Sequence, residues 1–206
     1  MKRAPAVIAI AVVVAAILFW WWPGIRGDGH SVGVEAGRDD VAVVGSGEII
    51  RGADVVARRL REEGYTVGEP VPTNDWCGFV ERLPSIDPRE AVVVHQPTAG
   101  GDCGSAIRIA DDVMAALGDG IDLVVVVGLV EGDRTTVVDS LAEAGARIVD
   151  ASTLLADVDG AAGCLWWDDC LAASDGSGYV VVRDGDGLTV AGHQRMARMI
   201  VAAVQS

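Results

Sequence analysis

The feature that most constrains the fold is a run of five apolar residues without alternation, at positions 123–127. A strand with one buried face alternates apolar and polar side chains, whereas a strand buried on both faces is continuously apolar. Strands of the second kind occur in parallel sheets that are covered by helices. The run therefore predicts an α/β fold with a parallel sheet and helices on both faces.

The chain after residue 40 alternates strands and helices around that run. Apolar residues recur at helical spacing, for example Val56 and Leu60, and Gly64 then ends the helix. The strands are predicted at residues 41–45, 91–95, 121–128 and 147–150. The helices are predicted at residues 52–63, 105–117, 135–144 and 190–204. We expect one domain over residues 41–206, with no internal repeat.

The first 25 residues predict a membrane anchor. Lys2 and Arg3 precede an uncharged stretch whose dense part, residues 4–22, would form a helix about 28 Å long, close to the thickness of a bilayer core. Tryptophans at positions 20–22 close it, as in an interfacial aromatic belt. A cleaved signal peptide is the alternative, but its shorter apolar region would end in small residues. We expect a transmembrane signal anchor at 1–25 and, by the positive-inside rule, a single-pass protein of the cell membrane with its domain on the extracytoplasmic side.

Charge restricts the partners of the exported part. Residues 26–40 are rich in Gly, Asp and Arg without apolar periodicity, which predicts a tether. The first 26 residues hold three of the 16 basic residues and none of the 30 acidic ones, so the rest of the chain carries a net charge of −17. That charge argues against nucleic acid as a partner. Lys2 is the only lysine, a bias typical of GC-rich bacterial genomes.

The four cysteines support an oxidising compartment. Cys77, Cys103, Cys164 and Cys170 are even in number and all lie in the exported part. Three connectivities are possible, and we favour Cys77–Cys103 with Cys164–Cys170 because nearest neighbours close loops that this topology can hold at its edge. No pair has C-x-x-C spacing and the three histidines are scattered, so we expect no metal and no cofactor.

Three segments carry a family resemblance. They are the first strand-to-helix turn, VVGSGE at 43–48, the strand end VVVHQPTA at 92–99, and the late segment DGDGLTVAGH at 184–193. Together they resemble the SGNH (GDSL-type) hydrolase superfamily, in particular the extracytoplasmic SGNH domains that accompany envelope acyltransferases. The resemblance implies a flavodoxin-like parallel sheet with its working groups at the carboxyl ends of the strands.

The resemblance also implies which positions would do the chemistry. The family hydrolyses acyl esters with a serine nucleophile, a histidine base, an aspartate that orients the histidine, and an asparagine at the oxyanion hole. The equivalent positions here are Gly47, Gly187, Asp184 and Ala99, of which only Asp184 matches. Glycine and alanine supply no nucleophile, base or side-chain donor. The resemblance therefore implies a degenerate member without hydrolase activity, with a binding or accessory role toward envelope glycan or an envelope protein.

Two alternatives to this interpretation remain. Ser46 lies one residue from the nucleophile's position and His193 is the histidine nearest the end of the chain, so an active esterase or acyl-transfer enzyme acting on envelope glycans could use Ser46. Against this, a serine between glycines is typical of a turn, and His193 in the first turn of a helix is typical of a packing residue. The other alternative is a flavodoxin-like receptor domain without hydrolase ancestry.

Several other residues have a plain structural interpretation. Two roles are open for Trp166 and Trp167: stacking on a sugar ring, or plugging the edge of the domain that the Cys164–Cys170 disulfide closes. The second role is the commoner one for such a pair. His95 ends a strand and is expected in a structural hydrogen bond. Arg58 and Arg59 are expected on the solvent side of their helix, opposite its apolar stripe.

Overall fold

The structure of the protein is a computed structural model. It describes residues 39–98, 103–152, 161–166, 168, 170–172, 178–185 and 187–206. The predicted anchor at 1–25 and the first thirteen residues of the tether at 26–40 lie outside the described residues. Within the described part of the chain, no helix is both long and apolar enough to cross a membrane.

A five-stranded parallel sheet forms the centre of the domain. Its strands are β1 (Asp39–Gly45), β2 (Val71–Pro72), β3 (Pro88–His95), β4 (Asp122–Val127) and β5 (Arg147–Asp150). Their spatial order is β2-β1-β3-β4-β5, which is the flavodoxin-like order. The predicted parallel α/β architecture is confirmed. β1 begins two residues earlier than predicted, so Asp39 and Asp40 belong to the sheet and not to the tether.

Helices cover both faces of this sheet. In the described ranges they are α1 (Glu48–Arg51), α2 (Ala53–Glu62), α3 (Trp76–Arg82), α4 (Ala106–Leu117), α5 (Thr136–Glu143) and α6 (Val190–Val204). The amphipathic helices α2, α4, α5 and α6 fall where the apolar spacing predicts them. Side-chain caps fix two of their starts: Ser105 accepts from the backbone N–H of Arg108 at 3.3 Å, and Thr189 accepts from that of Gly192 at 3.2 Å.

The core consists of two apolar layers, one on each side of the sheet. On one side, Val43 and Val93 pack with the buried faces of α2 and α6. On the other, Val94 and Val125 pack with α3, α4 and α5. Successive residues of a strand point to opposite faces, so both sets of valines are buried. This double burial explains the uninterrupted apolar run of β4.

The chain between β5 and α6 forms short strands that the sequence pattern does not predict. β6 (Ala161–Gly163), β7 (Leu171–Ala172) and β8 (Gly178–Val181) form an antiparallel sheet in the order β6-β8-β7, and β9 (Arg183–Asp184) pairs with β10 (Gly187–Leu188) in a hairpin. Both predicted disulfides are present. Cys77 in α3 is bonded to Cys103, and Cys164 is bonded to Cys170 across the loop between β6 and β7.

Candidate functional site

The carboxyl end of β1 is where the family resemblance places the nucleophile. β1 ends at Gly45, where an added Cβ would overlap the carbonyl oxygen of His95, so the two backbones can approach closely only because residue 45 is glycine. Gly47 then turns the chain into α1 with φ 56° and ψ −122°. That conformation is strained for any residue with a Cβ, and strained strand-to-helix turns of this kind carry the nucleophile in α/β-hydrolases.

Glu48 follows this turn and is the most unexpected residue of the site. Its side chain is only 1 % exposed. It accepts hydrogen bonds from the backbone N–H of Leu188 at 3.1 Å, from Nε2 of His193 at 3.1 Å and from the guanidinium of Arg51. A buried carboxylate requires such partners because its desolvation is otherwise very unfavourable. Glu48 therefore joins the turn to the β9–β10 hairpin and to α6.

The β9–β10 hairpin places Gly187, the position that the resemblance gives to the histidine base, next to Glu48. A Cβ added at Gly187 would lie 3.5 Å from Oε1 of Glu48, and Gly187 pairs across the hairpin with Asp184. Arg183 also donates to the carbonyl oxygen of Gly128, just beyond β4, at 3.0 Å. Gly187 and Asp184 thus lie at the same edge of the sheet as Glu48 and the turn at Gly47. Ala99, the position of the oxyanion-hole asparagine, lies outside the described residues.

Among the described residues, no histidine is hydrogen-bonded to Ser46. Its backbone N–H donates to the carbonyl oxygen of His95 at 3.3 Å, and its side chain is half-buried. Of the two histidines in the described part, His95 is bonded to Asp133 and His193 to Glu48. His193 is also more than the packing residue predicted for the start of α6, since it neighbours a buried carboxylate. In this geometry no described histidine activates the Ser46 hydroxyl.

His95 ends β3 in a buried hydrogen bond, as its position predicts. Its Nε2 lies 3.2 Å from Oδ2 of Asp133, while its Nδ1 is buried with no partner in the described part of the chain. Asp133 also accepts from the backbone N–H groups of Gly128, Leu129 and Val130. Burial acts to raise the pKa of Asp133, but the hydrogen bonds from His95 and the three N–H groups outweigh it and lower that pKa. Asp133 fixes the loop that follows β4.

An open groove of about 310 Å³ adjoins the turn after β1. Ser46, Gly47 and Arg51 line one side of it, and Thr73 and Asn74, which follow β2, line the other. The groove lies at the carboxyl ends of parallel strands, where ligands of α/β sheets bind. Its lining includes hydroxyl, amide and guanidinium groups that can bind a polar ligand. In the described ranges, no group of three or more His, Cys, Asp or Glu residues could hold a metal ion.

The loop closed by Cys164 and Cys170 presents an exposed tryptophan. Trp166 is 88 % exposed. The prediction that it plugs the edge of the domain is therefore wrong. Trp167, the other tryptophan of the pair, lies outside the described residues. Asp168, in the same loop, forms a buried ion pair with Arg195 of α6. Burial acts to raise the pKa of Asp168, but Arg195 and the N–H of Leu165 lower it overall.

The sequence pattern did not identify Glu48, Asp133 or Arg195 as structural centres. A charged residue in a turn or helix is expected in solvent, and each of these is buried through contacts with distant segments. A signal was present only for Asp133, which follows Gly132 in the short loop after the strongest strand. The chain matches no protein-family model and no curated protein.

Proposed function

We propose that this chain is a membrane-anchored SGNH-hydrolase-like domain of the bacterial cell envelope, on the extracytoplasmic side, that binds a partner without hydrolysing esters. The observation that carries the proposal is the contact of Glu48, the residue after Gly47, with the hairpin that contains Asp184 and Gly187. Gly47, Asp184 and Gly187 are the positions at which the family has its nucleophile, its orienting aspartate and its base. This contact supports an SGNH-like scaffold in which glycines stand at the positions of the nucleophile and the base.

The contacts of Glu48 support the loss of hydrolysis. In an active site of this class, a histidine would lie at position 187 and take a proton from a serine at position 47. Here the space beside Gly187 faces the carboxylate of Glu48, which is already bonded to three donors. A carboxylate held by three donors stabilises the edge of the sheet, and the two glycines beside it provide no nucleophile.

A binding or accessory role is supported by two surfaces. The groove beside Ser46 is open to solvent, and the exposed Trp166 lies in a loop that a disulfide and a buried ion pair hold in place. An exposed indole on a fixed loop can stack on the apolar face of a sugar ring. We therefore favour envelope glycan over an envelope protein as the partner. The predicted anchor at 1–25 would hold the domain near such a polymer.

Ester hydrolysis tests the proposal. The full chain, purified in mild detergent, is assayed with p-nitrophenyl acetate beside two variants, Ser46→Ala and Ser85→Ala. Ser85 is an exposed serine that donates to the carbonyl oxygen of Arg82, so it is a matched control far from the turn. We expect all three proteins to match the rate of the heat-denatured chain. Hydrolysis that disappears in Ser46→Ala and persists in Ser85→Ala would favour the alternative, an esterase or acyl-transfer enzyme with Ser46 as nucleophile.

A further inference from the structure

Trp166 lies at the corner of a tight turn. The backbone N–H of Asp168 donates to the carbonyl oxygen of Leu165 at 2.9 Å, which closes a β-turn whose second residue is Trp166. The side chain of Asp168 closes the same turn again, because its Oδ2 accepts from the N–H of Leu165 at 2.9 Å. The direction of the exposed indole therefore depends on how firmly Asp168 is held.

Arg195, in the second turn of α6, holds Asp168 from below the loop. Its Nη2 lies 2.5 Å from Oδ2 of Asp168 and 2.6 Å from the carbonyl oxygen of Gly163, the last residue of β6. Its Nε lies 3.5 Å from Oδ1 of Asp168. Both side chains of the ion pair are only 2 % exposed. One guanidinium thus connects α6 both to the strand before the turn and to the last residue of the turn.

The Cys164–Cys170 disulfide acts on a different part of the same loop. The two cysteines flank the turn, and Gly178 of β8 lies against them. A Cβ added at Gly178 would lie 3.1 Å from the Cβ of Cys164 and 3.6 Å from the Cβ of Cys170. The disulfide therefore fixes the ends of the loop, whereas Arg195 contacts a residue of the turn itself.

We propose that Arg195 is a positioning residue for glycan binding, which acts on Trp166 through Asp168 and the turn. The inference rests on the proposed function, in which Trp166 stacks on a sugar ring. Stacking needs the indole in a set orientation, and a side chain ordered before binding loses less conformational entropy when the ligand arrives. Because the indole is largely exposed, its order depends on the backbone that carries it. Arg195 is buried, so it acts without contacting the sugar.

The contacts also explain why this position needs an arginine. A guanidinium is planar and presents several N–H donors in a fixed arrangement, so it can bond both oxygens of Asp168 and the carbonyl of Gly163 together. A lysine would keep the buried positive charge but offers its donors from a single atom. We therefore expect Arg195→Lys to hold the turn only in part.

Binding to purified bacterial cell-wall glycan tests the proposal. The full chain, in mild detergent, is co-sedimented at increasing glycan concentration to give an apparent Kd. We expect Arg195→Gln to raise that Kd by about tenfold and Arg195→Lys by about threefold, because the turn loses its support in steps. Replacing Cys164 and Cys170 together by serine should raise the Kd less than Arg195→Gln does, since the turn keeps its contact with α6.

Arg147→Gln is the matched control. Arg147 of β5 also pairs with an aspartate, with Nη2 2.7 Å from Oδ2 of Asp122, and also donates to a backbone carbonyl, that of Ala203 at 2.5 Å. Its substitution makes the same charge change and removes the same kinds of contact, but none of them involves the turn. It should leave the Kd for the glycan within about twofold.

Fluorine NMR of the fluorotryptophan-labelled chain follows the turn without any glycan present. The signal of Trp166 is assigned with Trp166→Phe, and the fully buried Trp76 is the internal reference. In Arg195→Gln we expect the Trp166 signal to shift and the Trp76 signal to stay, whereas Arg147→Gln should move neither. If Arg195→Gln moves both signals, Arg195→Lys decides the outcome, because it retains the buried charge and should move the Trp166 signal alone.

Three results would overturn the inference alone: a variant at Arg195 that binds the glycan as tightly as the wild type, a Trp166 signal that does not move, or a larger loss of affinity from the cysteine replacement than from Arg195→Gln. A wild-type chain that does not bind the glycan would overturn the proposed function, and this inference with it.

Discussion

His193 in α6 and Glu48 in α1 form a hydrogen-bonded pair with Nε2 and Oε2 3.1 Å apart, although 145 residues separate them in sequence. The same carboxylate oxygen accepts from the N–H of Leu188 in the hairpin. The pair thus fastens the end of the chain to the turn after β1. In the SGNH hydrolases that the sequence resembles, a serine and a histidine would lie in contact at the corresponding edge. Here His193 donates a hydrogen bond to the buried carboxylate of Glu48.

We predict that Glu48→Ala lowers the free energy of unfolding by about 3 kcal/mol, because it leaves His193 and the N–H of Leu188 without their acceptor. Glu48→Gln should cost less, since its amide oxygen can still accept one of these bonds. Urea unfolding at pH 7 measures both. Glu63→Ala removes an exposed carboxylate near Arg59 and should cost less than about 0.5 kcal/mol. A Glu48→Ala variant as stable as Glu63→Ala would contradict the role given to Glu48.

Asp133 predicts a pH dependence of stability. Its pKa is lower in the folded protein than the value of about 3.8 in the unfolded chain, so its contribution is present above that value and is lost as pH falls through the folded pKa. At pH 7, Asp133→Asn should be less stable than the wild type by about 2 to 3 kcal/mol. That gap should shrink in acid below pH of about 4.

Urea unfolding at several pH values between 7 and 2 measures the gap for Asp133→Asn. Asp111→Asn is the matched control, because Asp111 is an exposed aspartate on α4 and should show little gap at any pH. A gap for Asp133→Asn that stays constant over the whole range would show that its ionisation is not linked to folding.

We predict that replacing Trp166 weakens glycan binding without lowering the stability of the fold. Because its side chain is 88 % exposed, Trp166→Ala should change the free energy of unfolding by less than about 0.5 kcal/mol, whereas Trp76→Ala, in the core, should cost about 3 to 5 kcal/mol. Co-sedimentation of the full chain with purified bacterial cell-wall glycan should fall several-fold in Trp166→Ala. Ile107→Ala, which removes another exposed apolar side chain, should leave co-sedimentation unchanged. Equal retention of Trp166→Ala and wild type would exclude this loop as the glycan-binding surface.

The two disulfides should stabilise the domain unequally. Loop-entropy reasoning gives about 3 kcal/mol for Cys77–Cys103, whose cysteines are 26 residues apart, and about 2 kcal/mol for Cys164–Cys170, whose cysteines are 6 apart. Replacing each pair by alanines and measuring urea unfolding tests the order. A larger loss from the Cys164–Cys170 replacement would mean that this small loop stabilises the fold through contacts beyond its own closure.

Long elements with a clear period could be predicted from the sequence. β4 was expected at 121–128 and is observed at Asp122–Val127, because a strand buried on both faces leaves an uninterrupted apolar run. α6 was expected at 190–204 and has those bounds, with Thr189 as its cap. β2, β6, β7, β9 and β10 could not be predicted, because strands of two or three residues show no period.

The site could be predicted only in part. The turn at Gly45 and Gly47 and the segment around Gly187 were located, because glycines at a strand end mark a turn. The burial of Glu48 could not be foreseen, since it depends on contacts with Leu188 and His193 that only the tertiary fold creates. The exposure of Trp166 could not be predicted either, because a tryptophan beside a disulfide is usually packed against the domain.

The most direct test of the central claim is labelling of the full chain with a fluorophosphonate, followed by intact-mass measurement and peptide mapping. The reagent forms a covalent adduct with serines that a neighbouring base activates, and an authentic SGNH hydrolase serves as the positive control. Because no described histidine is bonded to Ser46, we predict no adduct on this chain under conditions that label the control completely. A single adduct that maps to Ser46, and that is absent from Ser46→Ala, would contradict the claim.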